Sequence, residues 1–178
     1  MPYIAVSEVK RAAARAMLAQ AGAAPRIGLC WAGSAAHGND RNRSLPLAAL
    51  APLFAVPGIA WFSLQQGKAA AQIAAGSAAE RLVPLPADSA LVDTAALIGE
   101  LDLIITVDTS IAHLAGALAR PTWVLLPFAP DWRWQLGRDD SPWYPTLRLF
   151  RQPRPRDWQS VVERLQARLL SRASSRDD

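Results

Sequence analysis

The residues best placed to do chemistry fall in short polar stretches that interrupt apolar runs. Asp108-Thr109-Ser110-Ile111-Ala112-His113 follows the run Leu103–Val107 and opens a helical pattern. Where a strand passes straight into a helix, the first-turn N–H groups point out of the sheet edge, here beside the Thr109 and Ser110 hydroxyls. Together they suit an anion of the size of a diphosphate. The same residues also satisfy simple capping, with Asp108 or Thr109 accepting the helix's own N–H bonds. His113 lies one turn further on, either touching a ligand at the rim or serving as a hydrogen-bonded core imidazole.

A second stretch, Gly33 to Ser44, contains Ser34, His37, Gly38, Asn39, Asp40, Arg41, Asn42 and Arg43. It lacks the Gly-Lys-Ser/Thr ending of a P-loop and the G-x-G-x-x-G of a dinucleotide site. Arg41 and Arg43 have the planar fork that grips phosphate oxygens in bidentate fashion, or else the loop is simply solvated. Lys68 follows Gln65-Gln66-Gly67 and offers a point charge for phosphate. Beyond Pro127, Asp131-Trp132-Arg133-Trp134 and Asp139-Asp140-Ser141-Pro142-Trp143-Tyr144 set aromatics beside charges, for stacking on a base or sugar or for packing the loop onto the sheet. No Ser-His-Asp order or metal-type cluster stands out, so neither a metal nor any other cofactor is expected.

The elements that must position these stretches alternate along the chain. A helix is predicted from about Ser7 to Ala21, then strands at Arg26–Trp31 and Ile59–Leu64. Leu47–Phe54 is expected to be a helix with Ser44 as its N-cap, and Ala69–Ala75 is expected to be helical. A short strand around Arg81–Leu85 precedes a helix from Asp93 or Thr94 to Glu100. Leu103–Val107 and Pro121–Leu126 are apolar on both parities, as strands covered on two faces must be. A helix, Thr109–Ala119, separates them, and Leu147–Phe150 is a last strand. Asp157 caps a closing amphipathic helix that carries Val161, Leu165 and Leu169, and the tail from Ser171 is expected to fray. This alternation predicts an α/β fold, a Rossmann-like parallel sheet with helices on both faces. Its ligand belongs at the carboxyl ends of the strands, where all the polar stretches fall. The expected division is an N-terminal helix and linker at 1–25, the domain at 26–171 and a tail at 172–178.

Composition narrows the classes. Of 178 residues 51% are hydrophobic and 19% charged, which excludes a disordered or fibrous chain. No stretch has the apolar length of a membrane span. Met1–Pro25 carries Glu8, Lys10, Arg11 and Arg15 in place of a signal-peptide core. The net charge of +4 comes almost entirely from arginine, since Lys10 and Lys68 are the only lysines. Arginine replacing lysine alongside heavy alanine use reads as compositional bias, so nucleic acid is not the expected partner and an anionic small ligand fits the charge as well. Cys30 stands alone in an apolar run, a small core residue suited to a reducing cytoplasm.

Read together, Ile27-Gly28-Leu29-Cys30-Trp31-Ala32-Gly33, Asn39-Asp40-Arg41-Asn42-Arg43-Ser44, Phe62-Ser63-Leu64-Gln65, Asp93-Thr94-Ala95-Ala96-Leu97-Ile98, Asp102 through Gly116 and Pro127 through Trp134 resemble one known domain. It is the C-terminal glycosyltransferase-like domain of bacterial tetratricopeptide-repeat proteins, related to glycosyltransferase family 9, the heptosyltransferases. The likeness covers nearly the whole chain after Pro25, and Asp-Thr-x-x-x-His-Leu-Ala is its most diagnostic part.

The resemblance implies the C-terminal half of a GT-B fold, the half that holds a nucleoside-diphosphate sugar. It makes Thr109 and Ser110, beside Asp108, phosphate contacts and His113 a supporting group, with Arg41, Arg43 and the loosely matched Lys68 as further phosphate ligands. Gly33, Ser34, Asn39, Gln65 and Trp132 become candidates for contacts to sugar or base. Heptosyltransferases usually carry glycine where Ser110 stands. GT-B transfer generally needs no metal, and its acceptor and catalytic base usually sit on an N-terminal domain, so no residue here is assigned as the base. Transfer would need an N-terminal acceptor or tetratricopeptide domain, or a partner chain. The alternatives are a non-catalytic relic or interaction module prone to self-association, and a nucleic-acid binder using the arginine-rich C-terminal third.

Overall fold

The computed structural model describes residues 2–19, 22–75, 81–84, 86 and 89–174. Six parallel strands form one sheet in the order β3-β2-β1-β4-β5-β6: β1 Arg26–Cys30, β2 Ala60–Ser63, β3 Leu82–Val83, β4 Leu103–Val107, β5 Thr122–Leu126 and β6 Leu147–Arg151. The helices are α1 Glu8–Leu18, α2 Asp40–Arg43, α3 Ala51–Phe54, α4 Leu91–Glu100, α5 Ser110–Ala117 and α6 Trp158–Ser174. Mixed-sequence alternation has thus produced the α/β architecture expected of it.

Strand order reverses between β1 and β4, where Cys30 pairs with Thr106. The chain leaves β1 toward β2 and leaves β4 toward β5, so the two exits diverge and open a crevice between them. All five residues of β4 and of β5 are buried, because helices cover both faces. On one face Leu29, Leu103, Ile105 and Val107 pack with α3 and with Val161, Leu165 and Leu169 of α6. On the other, Cys30, Phe62 and Ile104 pack under α4 and α5, and Ala14 and Leu18 bring α1 into the same cluster. Ion pairs Lys10–Asp93 (2.7 Å) and Arg11–Glu100 (2.7 Å) close α1 onto α4. The N-terminal helix is therefore part of this helical layer.

Several boundaries differ from the sequence expectation for local reasons. The Leu47–Phe54 segment is a 3-10 turn, Leu47–Leu50, followed by α3, and Pro46 rather than Ser44 occupies the N-cap position. Gly67–Gln72 is a 3-10 turn, and α4 starts at Leu91, ahead of Asp93. Helix α5 stops at Ala117, and Ala119 then turns the chain with φ 53°. Helix α6 continues to Ser174, past the point where fraying was expected; Asp157 does cap it, accepting from Ser160 N–H at 3.1 Å. Ala21, Leu85 and residues 175–178 lie outside the described residues. Among the described residues no helix is long and apolar enough to cross a membrane.

Candidate functional site

The carboxyl ends of β1, β2 and β4 surround an open cleft of about 1250 Å³. Its walls bring together Gly33, Ser34, Arg43, Gln65, Lys68, Asp108, Thr109, Ser110 and His113, with Arg133 at the rim. Three candidates lie elsewhere. Arg41 is exposed on α2 and is not among the lining residues. Asn39 accepts a hydrogen bond from Asn42 Nδ2 (2.6 Å) outside the cleft, and Trp132 is 71% exposed beyond its edge.

Helix α5 supplies one wall. Thr109 is its N-cap, accepting from Ile111 N–H at 3.2 Å through its side-chain oxygen. Thr106 Oγ1 already donates to the Val107 carbonyl (2.9 Å), so the Thr109 hydroxyl must donate to Thr106 at 3.3 Å. Its donor capacity is thereby committed to holding the helix start. Ser110 is exposed in the cleft wall one residue on, at the positive end of the helix. Capping falls to Thr109 and not to Asp108, whose backbone carbonyl instead accepts from Arg43 Nη1 at 2.8 Å.

Gln65 is buried, and both ends of its amide are engaged. Its Oε1 accepts from Trp31 N–H (3.0 Å) and Ala32 N–H (2.9 Å), and its Nε2 donates to the carbonyls of Ala32 and Gln66 (3.0 Å each). It ties the carboxyl end of β1 to that of β2 and so shapes the cleft through the protein's own backbone.

His113 faces the cleft from the first turns of α5 and is held from behind. Its ring stacks on the fully buried Trp134 (centroids 5.3 Å, 20°), and its Nδ1 meets the Tyr144 hydroxyl at 3.2 Å. Gly116 makes this possible, because a Cβ there would land on the Tyr144 ring. Burial lowers the His113 pKa, outweighing the upward pull of the nearby Asp108 carboxylate. Burial also pushes Tyr144 up to about 12. Cys30 sits in the cleft floor with its thiol pushed up to about 11 by complete burial, so it stays un-ionised.

Trp134, Tyr144 and Arg133 lie in the stretches read from sequence for stacking or for packing, with Trp132 alone carried forward as a contact; Trp134 and Tyr144 take the packing role, behind His113. A spacing of 31 residues between His113 and Tyr144 carries no local signal. Among the described residues no group of His, Cys, Asp and Glu has the arrangement of a metal site.

A parallel sheet with this strand order and a cleft at its reversal defines a Rossmann-like α/β domain. Comparison with known proteins gives that class a more particular form. Residues 59–130 match the model of glycosyltransferase family 9 (heptosyltransferase). The chain superposes on E. coli ADP-heptose lps heptosyltransferase II with a TM-score of 0.62 at 22% identity, over 96% of this chain and 54% of that one. On E. coli heptosyltransferase WaaC with ADP-2-deoxy-2-fluoro heptose the TM-score is 0.53 at 15% identity, over 88% and 45%. Protein FlbA of Caulobacter vibrioides is 30% identical over 170 residues, which are 90% of this chain and 28% of FlbA. The chain thus has a glycosyltransferase-like fold related to family 9. It spans about half the length of these heptosyltransferases and just over a quarter of FlbA.

Proposed function

We propose that the cleft binds the diphosphate of a nucleoside-diphosphate sugar, and that the chain is the donor-binding half of a glycosyltransferase. The observation that carries this reading is the convergence of Arg43 and the α5 N-terminus at the strand reversal. A partly buried guanidinium and a helix start face the same space, and Lys68 adds a third positive group at the rim. Ser110 N–H and Oγ–H suit one phosphate, Arg43 and Lys68 the other, and Thr109 keeps the helix start in place. In transfer, the leaving nucleoside diphosphate gains negative charge as the glycosidic bond breaks. Fixed positive groups stabilise that charge without reorganising. His113, neutral and held by Tyr144, offers a hydrogen bond to the sugar or the distal phosphate; Ser34 lies on the facing wall. The acceptor and the base would come from an N-terminal domain, a tetratricopeptide domain or another chain, in the cytoplasm where nucleotide sugars are made, and no metal is required of this half.

A second reading, an interaction module of the same fold, is favoured by the large apolar side chains left exposed after β5: Phe128, Trp132, Leu136 and Trp143. Such side chains suit docking or self-association. A nucleic-acid surface is disfavoured, because Arg133, Arg138, Arg148 and Arg154 of the C-terminal third pair with carboxylates.

Thermal unfolding with a panel of nucleoside diphosphates and nucleotide sugars separates the two. Ligand at a hundredfold its Kd stabilises a fold by about 2.7 kcal/mol, a midpoint rise of roughly 5 to 10 °C at this size. Ser110→Asp puts a carboxylate in the first turn of α5, which favours the helix but repels phosphate. The expected result is a selective rise for wild type and none for Ser110→Asp, whose unliganded midpoint is unchanged or higher. No rise with any nucleotide moves the assignment to the interaction module.

A further inference from the structure

Gly33 does not owe its place to backbone conformation, since its φ lies outside the left-handed region that Gly22, Gly58, Gly67 and Gly137 occupy. What it lacks is a side chain, and the missing space is filled. A Cβ at residue 33 would fall on Arg43 Nη2, 2.7 Å from Asp40 Oδ1 and 2.8 Å from Arg43 Cζ. The guanidinium therefore fills the space that a side chain at residue 33 would need.

The rest of the arrangement is a closed ring of contacts. Gly33 N–H donates to Ser44 Oγ (2.8 Å), and Ser44 Oγ–H donates to Asp40 Oδ1 (2.8 Å). The same Asp40 oxygen lies 3.4 Å from Arg43 Nε. Arg43 Nη1 then crosses the strand reversal to the Asp108 carbonyl at 2.8 Å. Arg43 is 13% exposed and Asp40 19%, so solvent screens this pair far less than a surface ion pair. Each contact removes a rotamer that a free arginine would sample, and a charge fixed before the ligand arrives avoids an ordering cost on binding.

We propose that Gly33 and Asp40 are positioning residues that hold the Arg43 guanidinium at the cleft. Gly33 leaves the space the guanidinium occupies, and the Asp40 carboxylate attracts it as an ion pair at 3.4 Å from Nε. Their importance for binding rests on the nucleotide reading of the cleft. Gly33 thus acts through Arg43 and not through contact with sugar or base.

Two readouts test this on the full chain. The first is the rate at which phenylglyoxal labels Arg43, followed by mass spectrometry without ligand. Gly33→Ala displaces the guanidinium and Asp40→Ala releases it, so labelling accelerates severalfold in both, while the near-UV circular dichroism stays that of wild type. The second is ADP affinity in a double-mutant cycle. Gly33→Ala weakens binding by roughly tenfold, as loss of one charge-assisted hydrogen bond implies, but changes little once Arg43 is alanine. Should Gly33→Ala fail to fold, Asp40→Ala adds no volume and takes its place in both arms. Unchanged Arg43 labelling in the variants overturns the proposal. So does an affinity loss from Gly33→Ala that is equally large in the Arg43→Ala background. If wild type binds neither ADP nor any other nucleoside diphosphate, the nucleotide reading fails by itself. The labelling arm still decides the arrangement, faster labelling upholding it and unchanged labelling overturning it.

Discussion

Two loops flank the cleft, and they are held by different physics. Residues 31–44, after β1, fold on polar contacts: the Gly33–Ser44–Asp40–Arg43 ring and the Gln65 amide beneath it. Residues 127–146, after β5, fold on aromatic packing. Trp134 is fully buried under His113 and Tyr144, while Arg151 Nη2 donates to the Gln135 carbonyl (2.6 Å) and Gln152 Oε1 accepts from Phe128 N–H (3.2 Å). Directional contacts place one charge at one point, which suits an anion site. Aromatic packing tolerates small shifts and leaves its spare rings outward, as with Trp132 and Trp143, which meet edge to face at 6.4 Å. The first loop thus presents charge to the cleft, while the second reaches it through Arg133 and leaves its exposed rings beyond the edge.

The contrast predicts unequal losses. Trp134→Ala should cost most, about 3 to 5 kcal/mol for a fully buried aromatic, seen as a large drop in the thermal midpoint. Gln65→Ala comes next, at about 2 kcal/mol, because it strands the buried N–H of Trp31 and the part-buried N–H of Ala32. Amide exchange should locate that loss at residues 31–44 and spare 127–146; an even spread over both loops would break the distinction.

A smaller effect follows from protonation. The folded state holds His113 below its ordinary value, so the unfolded chain binds the proton first. Stability from this group is complete above about pH 6.5 and is lost as pH falls from there through the lower folded value. Urea midpoints should therefore decline on that limb, and His113→Gln should flatten the decline. Smallest of all, Trp132→Ala should change stability by no more than about 0.5 kcal/mol, because its ring is largely exposed and is held by Trp143 and by Arg133 at 5.7 Å. A loss near that of Trp134→Ala would show the rim to be part of the core.

Much of the fold was legible along the chain. Leu103–Val107 begins and ends where its doubly apolar pattern does, because burial on two faces admits apolar side chains and, at Thr106, a hydroxyl only where it is hydrogen-bonded. The strand-to-helix passage at Asp108–Ser110 was legible too, since capping is a local matter of hydroxyls and N–H groups. Ser44, expected as a cap, shows the limit. Its hydroxyl found Gly33 and Asp40, partners available only once the loop had folded back on itself.

The sequence by itself determined the alternation, the polar strand ends and therefore at which edge of the sheet the polar cleft would open, since hydrophobic period and helix capping act over a few neighbouring residues. Tertiary structure decided which polar groups reach the cleft. It placed Arg43 against Gly33 and Asp108, left Arg41 outside, closed the Gln65 amide on the backbone just after β1, and set Tyr144 behind His113 through the space that Gly116 leaves. Those outcomes depend on excluded volume and hydrogen-bond geometry between residues up to 65 positions apart, and such distances leave no mark in the local pattern.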